Sequence, residues 1–186
     1  MRILVATGAL ALLLFSAQAC AFSPKAIPAN AQAGSQAYSQ FLAGYLDSRE
    51  GNLDGALESY RKALKYAGEE PDILYEIANV LVKKGRLPEA RVELEKALAV
   101  DEGHTRSRYL LAGILAASGD RDKALAEYDR VLKEDPENDE VYLHIATLYA
   151  EQGEFSKAEE VLDALIARDP DSHLAYYYRG RVRAAR

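Results

Sequence analysis

From about residue 35 onward, apolar side chains recur in steps of three and four, the spacing of an amphipathic helix. Ile73, Leu74, Ile77, Ala78 and Leu81 make one such run. The segment that holds it, 72–84, is followed by Gly85 and then by a second helical segment, 88–100. A glycine just past a helix end is where left-handed backbone costs least, so each pair of segments predicts a helix hairpin. The pattern returns every 34 residues. Gly51, Gly85, Gly119 and Gly153 keep that step, as do Ala56, Ala90, Ala124 and Ala158. A second small column runs Gly44, Ala78, Ala112, Ala146 and Gly180. Tyr60, Leu94, Tyr128 and Leu162 form a large column, and Ala63, Ala97, Val131 and Leu165 an apolar one. Small residues in fixed register let paired helices approach closely, and a larger side chain there would overpack the contact.

These columns predict an all-α stack of four hairpins at about 37–70, 71–104, 105–138 and 139–172, ended by a helix over 173–186. Asp135-Pro136 and Asp169-Pro170 mark two junctions, where proline stops a second helix. The earlier junctions, Gly68-Glu69-Glu70-Pro71 and Asp101-Glu102-Gly103-His104, break helices by other means. Ser172 caps the last helix, with Leu174, Tyr177, Tyr178 and Val182 as its expected apolar stripe. Arg179 and Arg183 occupy sites that would face a missing partner helix, so they are expected to be wet, as in a solubilising cap. Grip on an acidic partner by Arg179, Arg181, Arg183 and Arg186 is the alternative.

The N-terminus is patterned differently. Arg2 precedes an apolar run over 3–15, and Ser16-Ala17-Gln18-Ala19 supplies small residues around a cut. This is the order of a secretory signal peptide, and the run is shorter than the ~20 residues of a spanning helix. Two cleavage schemes fit 1–19. Ala17-Gln18-Ala19 suits the general signal peptidase, while Ala19-Cys20 resembles a bacterial lipobox, with Ala17 and Gln18 departing from that pattern. In the second scheme Cys20 is lipidated and tethers the protein to a membrane surface. Residues 20–34, rich in Ala, Pro, Ser, Gln and Gly, are expected to be a flexible linker.

Lys and Arg total 23 against 29 for Asp and Glu, a net charge of −6 without a basic stripe, which argues against nucleic acid as a partner. Cys20 is the sole cysteine, so the chain has no internal disulfide and no cysteine-based zinc site.

The layout over 35–186 resembles the tetratricopeptide repeat (TPR) family. Copy 105–138 carries the family order best, with Tyr109, Leu111, Ala112, Gly119-Asp120, Ala124, Tyr128 and Asp135-Pro136. Copy 37–70 is weakest, with Gln40 and Asp47 at sites that are usually aromatic and apolar. The resemblance implies a right-handed superhelical solenoid whose first helices line a concave groove for a protein or peptide ligand. Carried onto this chain, the lining is Tyr38, Phe41 and Tyr45, then Tyr75, Asn79 and Lys83. It continues with Arg106, Tyr109 and Gly113, Leu143 and Thr147, and finally Tyr177 and Arg181. The column Phe41, Tyr75, Tyr109, Leu143, Tyr177 is either an aromatic ladder for the ligand or packing between units. Asn79 alone matches a carboxylate clamp.

No catalytic motif, phosphate loop or cofactor fingerprint occurs, so no catalytic residue, metal ligand or cofactor is assigned. His104 and His173 are expected at the surface, while His144 is within reach of the groove. Glu58, Glu93, Glu95, Glu127, Glu159 and Glu160 lie among Lys and Arg on second helices and suit a solvated outer face. The resulting expectation is a non-enzymatic scaffold or adaptor in a bacterial envelope, in the periplasm or on a periplasm-facing membrane. Its setting is the assembly of a pilus, secretion, polysaccharide-export or wall-synthesis complex. A self-associating structural solenoid and an accessory subunit of an envelope enzyme are the alternatives.

Overall fold

The computed structural model describes residues 31–186, which form nine α-helices and no strand among the described residues. The helices are α1 (Ala31–Glu50), α2 (Leu53–Ala67), α3 (Pro71–Lys83), α4 (Leu87–Val100), α5 (Thr105–Ala117), α6 (Arg121–Glu134), α7 (Asp139–Glu151), α8 (Phe155–Arg168) and α9 (His173–Ala185). Consecutive helices pack as antiparallel hairpins that stack in chain order. First helices of neighbouring units also touch, α3 with α5 and α7 with α9, so the odd-numbered helices form the inner side of the stack.

The hairpin turns follow from the glycine column. Gly51, Gly85, Gly119 and Gly153 have φ of 83°, 71°, 84° and 77°. At the second of these, Arg86 N–H donates to Leu81 O and Gly85 N–H to Val82 O, both at 2.9 Å. That is a Schellman closure, and it repeats with Asp120 to Leu115 and Gly119 to Ala116, and with Glu154 to Tyr149 and Gly153 to Ala150.

Gly68 ends α2 at φ 82°, while the three later junctions carry an aspartate, two of them followed by the expected proline. Asp101, Asp135 and Asp169 each cap a second helix. The Asp101 carboxylate accepts Gly103 N–H at 2.9 Å, and the Asp169 carboxylate accepts Asp171 N–H at 3.1 Å. The Asp101 junction lacks proline and closes in the same way, because an Asx turn satisfies the backbone without one. Pro71 opens α3 at its first position instead of ending α2.

The large and small columns meet in the core. Tyr60, Leu94 and Leu162 are fully buried and Tyr128 is nearly so, against Ala78, Ala112 and Ala146 at zero exposure. Each such large side chain contributes about 1.5–3 kcal/mol on burial. Gly44 shows why its column is small: a Cβ there would lie 2.7 Å from Tyr60 Cδ1.

Three expectations change. The linker was expected to reach Gly34, but α1 starts at Ala31, because Ala and Gln favour helix and buried Gly34 tolerates contact. On α9, Leu174 and Tyr177 are exposed, at 58% and 60%, and the inward face is Ala175 and Val182 with Tyr178 partly buried. Arg183 is wet as expected, with its side chain 57% exposed, whereas that of Arg179 is only 24% exposed. Both reach back to α8, Arg179 to Asp163 at 2.6 Å and Arg183 to Glu159 at 3.7 Å. Segment 1–19 and Cys20 lie outside the described residues.

Candidate functional site

The groove is built from the inner faces of the odd-numbered helices. Its N-terminal third is sparse. Tyr38 is exposed, Tyr45 is half-buried under the Arg49 guanidinium at 5.9 Å, and Lys83 Nζ donates to Ser48 Oγ at 3.0 Å. Phe41 lies inside the core, 6% exposed, with its ring 5.5 Å from Tyr60.

The middle is locked by charge. Arg106 lies 4.1 Å over the Tyr75 ring and pairs with Asp72 at 3.3 Å and Glu76 at 3.1 Å. Asn79 is half-buried one turn further along α3. His104 is no surface residue. Its Nδ1 accepts Ser107 N–H at the start of α5 and its Nε2 lies 3.3 Å from Asp72. The hydrogen bond from His104 holds the Asp72 carboxyl below its ordinary range, against the opposing effect of burial.

Between α5, α6 and α7 lies a ring cluster. Tyr128 and His144 stack at 5.4 Å with 9° between planes, and the Tyr109 ring lies 5.9 Å from Tyr128 and 5.8 Å from His144. Tyr109 Oη is 3.1 Å from Glu140 and 3.0 Å from His144 Nε2. A phenol has one proton, and the carboxylate is the stronger acceptor. Tyr109 therefore donates to Glu140 and accepts from the Nε2–H of a neutral His144. Although His144 is exposed as a residue, its ring face rests on Tyr128, and that desolvation lowers its pKa against the pull of Glu140. Burial raises the Tyr109 hydroxyl, with the Glu140 hydrogen bond adding to it, and pushes Tyr128 up to about 12. Gly113 lies beside this cluster, where a Cβ would make an ordinary contact with Tyr128 Oη at 3.7 Å.

Two depressions of about 230 Å³ each follow along the groove. The first is lined by Ala116, Tyr128, His144, Thr147 and Glu151, and the second by Thr147, Glu151, Phe155, Tyr178, Arg181 and Val182. Thr147 Oγ1 donates to Leu143 O at 2.8 Å, so its hydroxyl proton is engaged. Leu143 is buried at 9%, and Tyr177 is open at the stack's end.

The 34-residue aromatic column is therefore not a continuous ladder. Phe41 and Leu143 are core, Tyr75 and Tyr109 are half-buried wall, and only Tyr177 is fully presented. The ring stack of Tyr128 on His144 was not foreseen. Its partners come from two different columns, and the nearest signal was the position of His144 on a first helix. Among the described residues no three His, Cys, Asp or Glu side chains gather in a metal-holding group. No helix of the described residues is long and apolar enough to cross a membrane.

The family profile for tetratricopeptide repeats matches residues 49–114, 89–133 and 115–181. The chain belongs to the tetratricopeptide repeat family. Among solved structures it is similar to YrrB, described as a TPR protein with an unusual peptide-binding site. The two are 29% identical over 78% of this chain and 75% of that one, at a TM-score of 0.68. The protein MamA shares the TPR fold at 21% identity, covering 82% of this chain and 83% of its own, with a TM-score of 0.73. The first TPR domain of Spaghetti (RPAP3), solved bound to an HSP90 peptide, aligns at 18% identity with a TM-score of 0.61. That match covers 64% of this chain and 97% of the domain. No curated protein sequence matches the chain.

Proposed function

We propose that this TPR chain is an exported, non-enzymatic scaffold or adaptor that holds protein or peptide partners in the groove of its odd-numbered helices. The observation that carries this reading is the wall from Tyr109 to Arg181. There a ring cluster and two adjoining depressions stay open to solvent while the large columns behind them are closed. The likeness to YrrB, whose own description names a peptide-binding site, supports the same use of the groove.

The setting is a bacterial envelope, in the periplasm or on a periplasm-facing membrane as a lipoprotein. It is supported by the positive, apolar and small-residue order of 1–19 and by Cys20 at the expected cut. Assembly or localisation of a pilus, secretion, polysaccharide-export or wall-synthesis complex is the role this setting suggests.

Purification of the full chain from crosslinked cells tests the reading. Specific envelope proteins are expected with the wild type and are lost with Tyr75→Ala, Asn79→Ala and Tyr109→Ala. Capture that survives all three changes rejects the groove. Cys20→Ala is expected to move the protein from the membrane to the soluble fraction, and unchanged fractionation rejects the lipid tether.

A further inference from the structure

The groove's cations differ in how they are matched. Arg106 is tied to Asp72 and Glu76, and Lys83 donates to Ser48. On α9, three of the four arginines in or after the helix return to α8, Arg179 to Asp163 and both Arg183 and Arg186 to Glu159. Arg181 is the exception. Its guanidinium lies 5.8 Å from the Tyr177 ring centre and 5.7 Å from that of Tyr178, and among the described residues it has no carboxylate in ion-pair range and no hydrogen bond. It stands at the edge of the depression between α7 and α9, beside the apolar atoms of Phe155, Val182 and Ala150.

Size and opening narrow the occupant. At about 230 Å³ the depression falls below the ~300–1,000 Å³ of small-molecule sites. That suits one large side chain of a longer ligand. It shares Thr147 and Glu151 with the neighbouring depression, so the path continues along the groove and a ligand chain passes through instead of ending there. A guanidinium held over two ring faces keeps its N–H edge for a carboxylate.

We propose that the α7–α9 end of the groove selects an acidic side chain within a peptide partner, with Arg181 pairing its carboxylate and the apolar wall taking an adjacent large apolar residue. This rests on the groove-binding reading above and adds the partner's chemistry to it.

The test uses the full chain and short fluorescent peptides, all C-terminally amidated so that no terminal carboxylate is present. Glycine-serine flanks carry a Leu-Glu, Leu-Gln, Leu-Lys or Ser-Glu core, and anisotropy titrations give each affinity. Leu-Glu is expected to bind about fivefold more tightly than Leu-Gln, the size of an exposed charge pair. Arg181→Gln removes that preference, Arg181→Glu transfers it to Leu-Lys, and Ser-Glu binds more weakly than Leu-Glu. Circular dichroism checks that both variants keep the wild-type helix content. Equal affinity for Leu-Glu and Leu-Gln, with binding still lost in Tyr109→Ala, overturns the acidic selection and leaves the groove standing. Binding that is absent, or indifferent to Tyr109→Ala, overturns both.

Discussion

The first and last helices of the stack carry the same repeat register and meet solvent differently. Leu46 on α1 is 50% exposed, whereas Val182 on α9, four periods later, is 5% exposed. The equivalent residues of the units between, Val80, Ile114 and Leu148, are all buried. This face of a first helix packs on the preceding second helix, and α1 has none among the described residues, while α9 has α8. The column of Gly44 and Gly180 tells the converse story. Gly44 lies under Tyr60 of its own second helix, while a Cβ at Gly180 would meet nothing within 4 Å. Among the described residues, α1 has no helix packed before it and α9 no second helix packed after it. The repeat alone does not decide burial; position in the stack does.

Changes at matched positions sharpen this contrast. The largest effect is expected for Val182→Asp, which places a charge in the α8–α9 contact and costs about 3 kcal/mol or more. Chemical denaturation and loss of amide protection in α9 measure it. Gly44→Ala comes next, at about 1–3 kcal/mol, because the Tyr60 ring is enclosed and cannot move aside. The same change at Gly180 is expected to stabilise by up to about 1 kcal/mol, since alanine is the better helix former and the site is open. Opposite shifts in melting temperature for the two glycine variants are the signature. Arg179→Ala is smaller, below about 1 kcal/mol, because Asp163 is half-exposed, and added salt should shrink it further. Leu46→Asp is expected to change stability by less than about 0.5 kcal/mol. If Leu46→Asp matched Val182→Asp, α1 would carry an unseen neighbour and the contrast would fail.

Much of the stack was legible because its causes are local. A glycine needed at positive φ and a small residue needed under a large one leave marks at a fixed step, so turns and helix contacts could be placed from the chain. The Asp-Pro junctions were visible too, and the Asp101 junction shows that aspartate closes the same turn without a proline. The groove was harder. Phe41, Tyr109 and Leu143 share a column and differ in fate because exposure depends on what neighbouring columns supply. Tyr60 covers Phe41, whereas Tyr128 and His144 hold Tyr109 at the wall. The arginines of α9 read as one cluster, and only geometry separates the three bound to α8 from Arg181.

Site-specific photo-crosslinking in cells that naturally express the chain tests the groove most directly. A photoreactive residue at Thr147, on the groove wall, is compared with one at Val92, 48% exposed on α4. The groove account predicts discrete partner adducts from position 147 and none from position 92. Adducts from position 92 alone would place recognition on the second helices and contradict it.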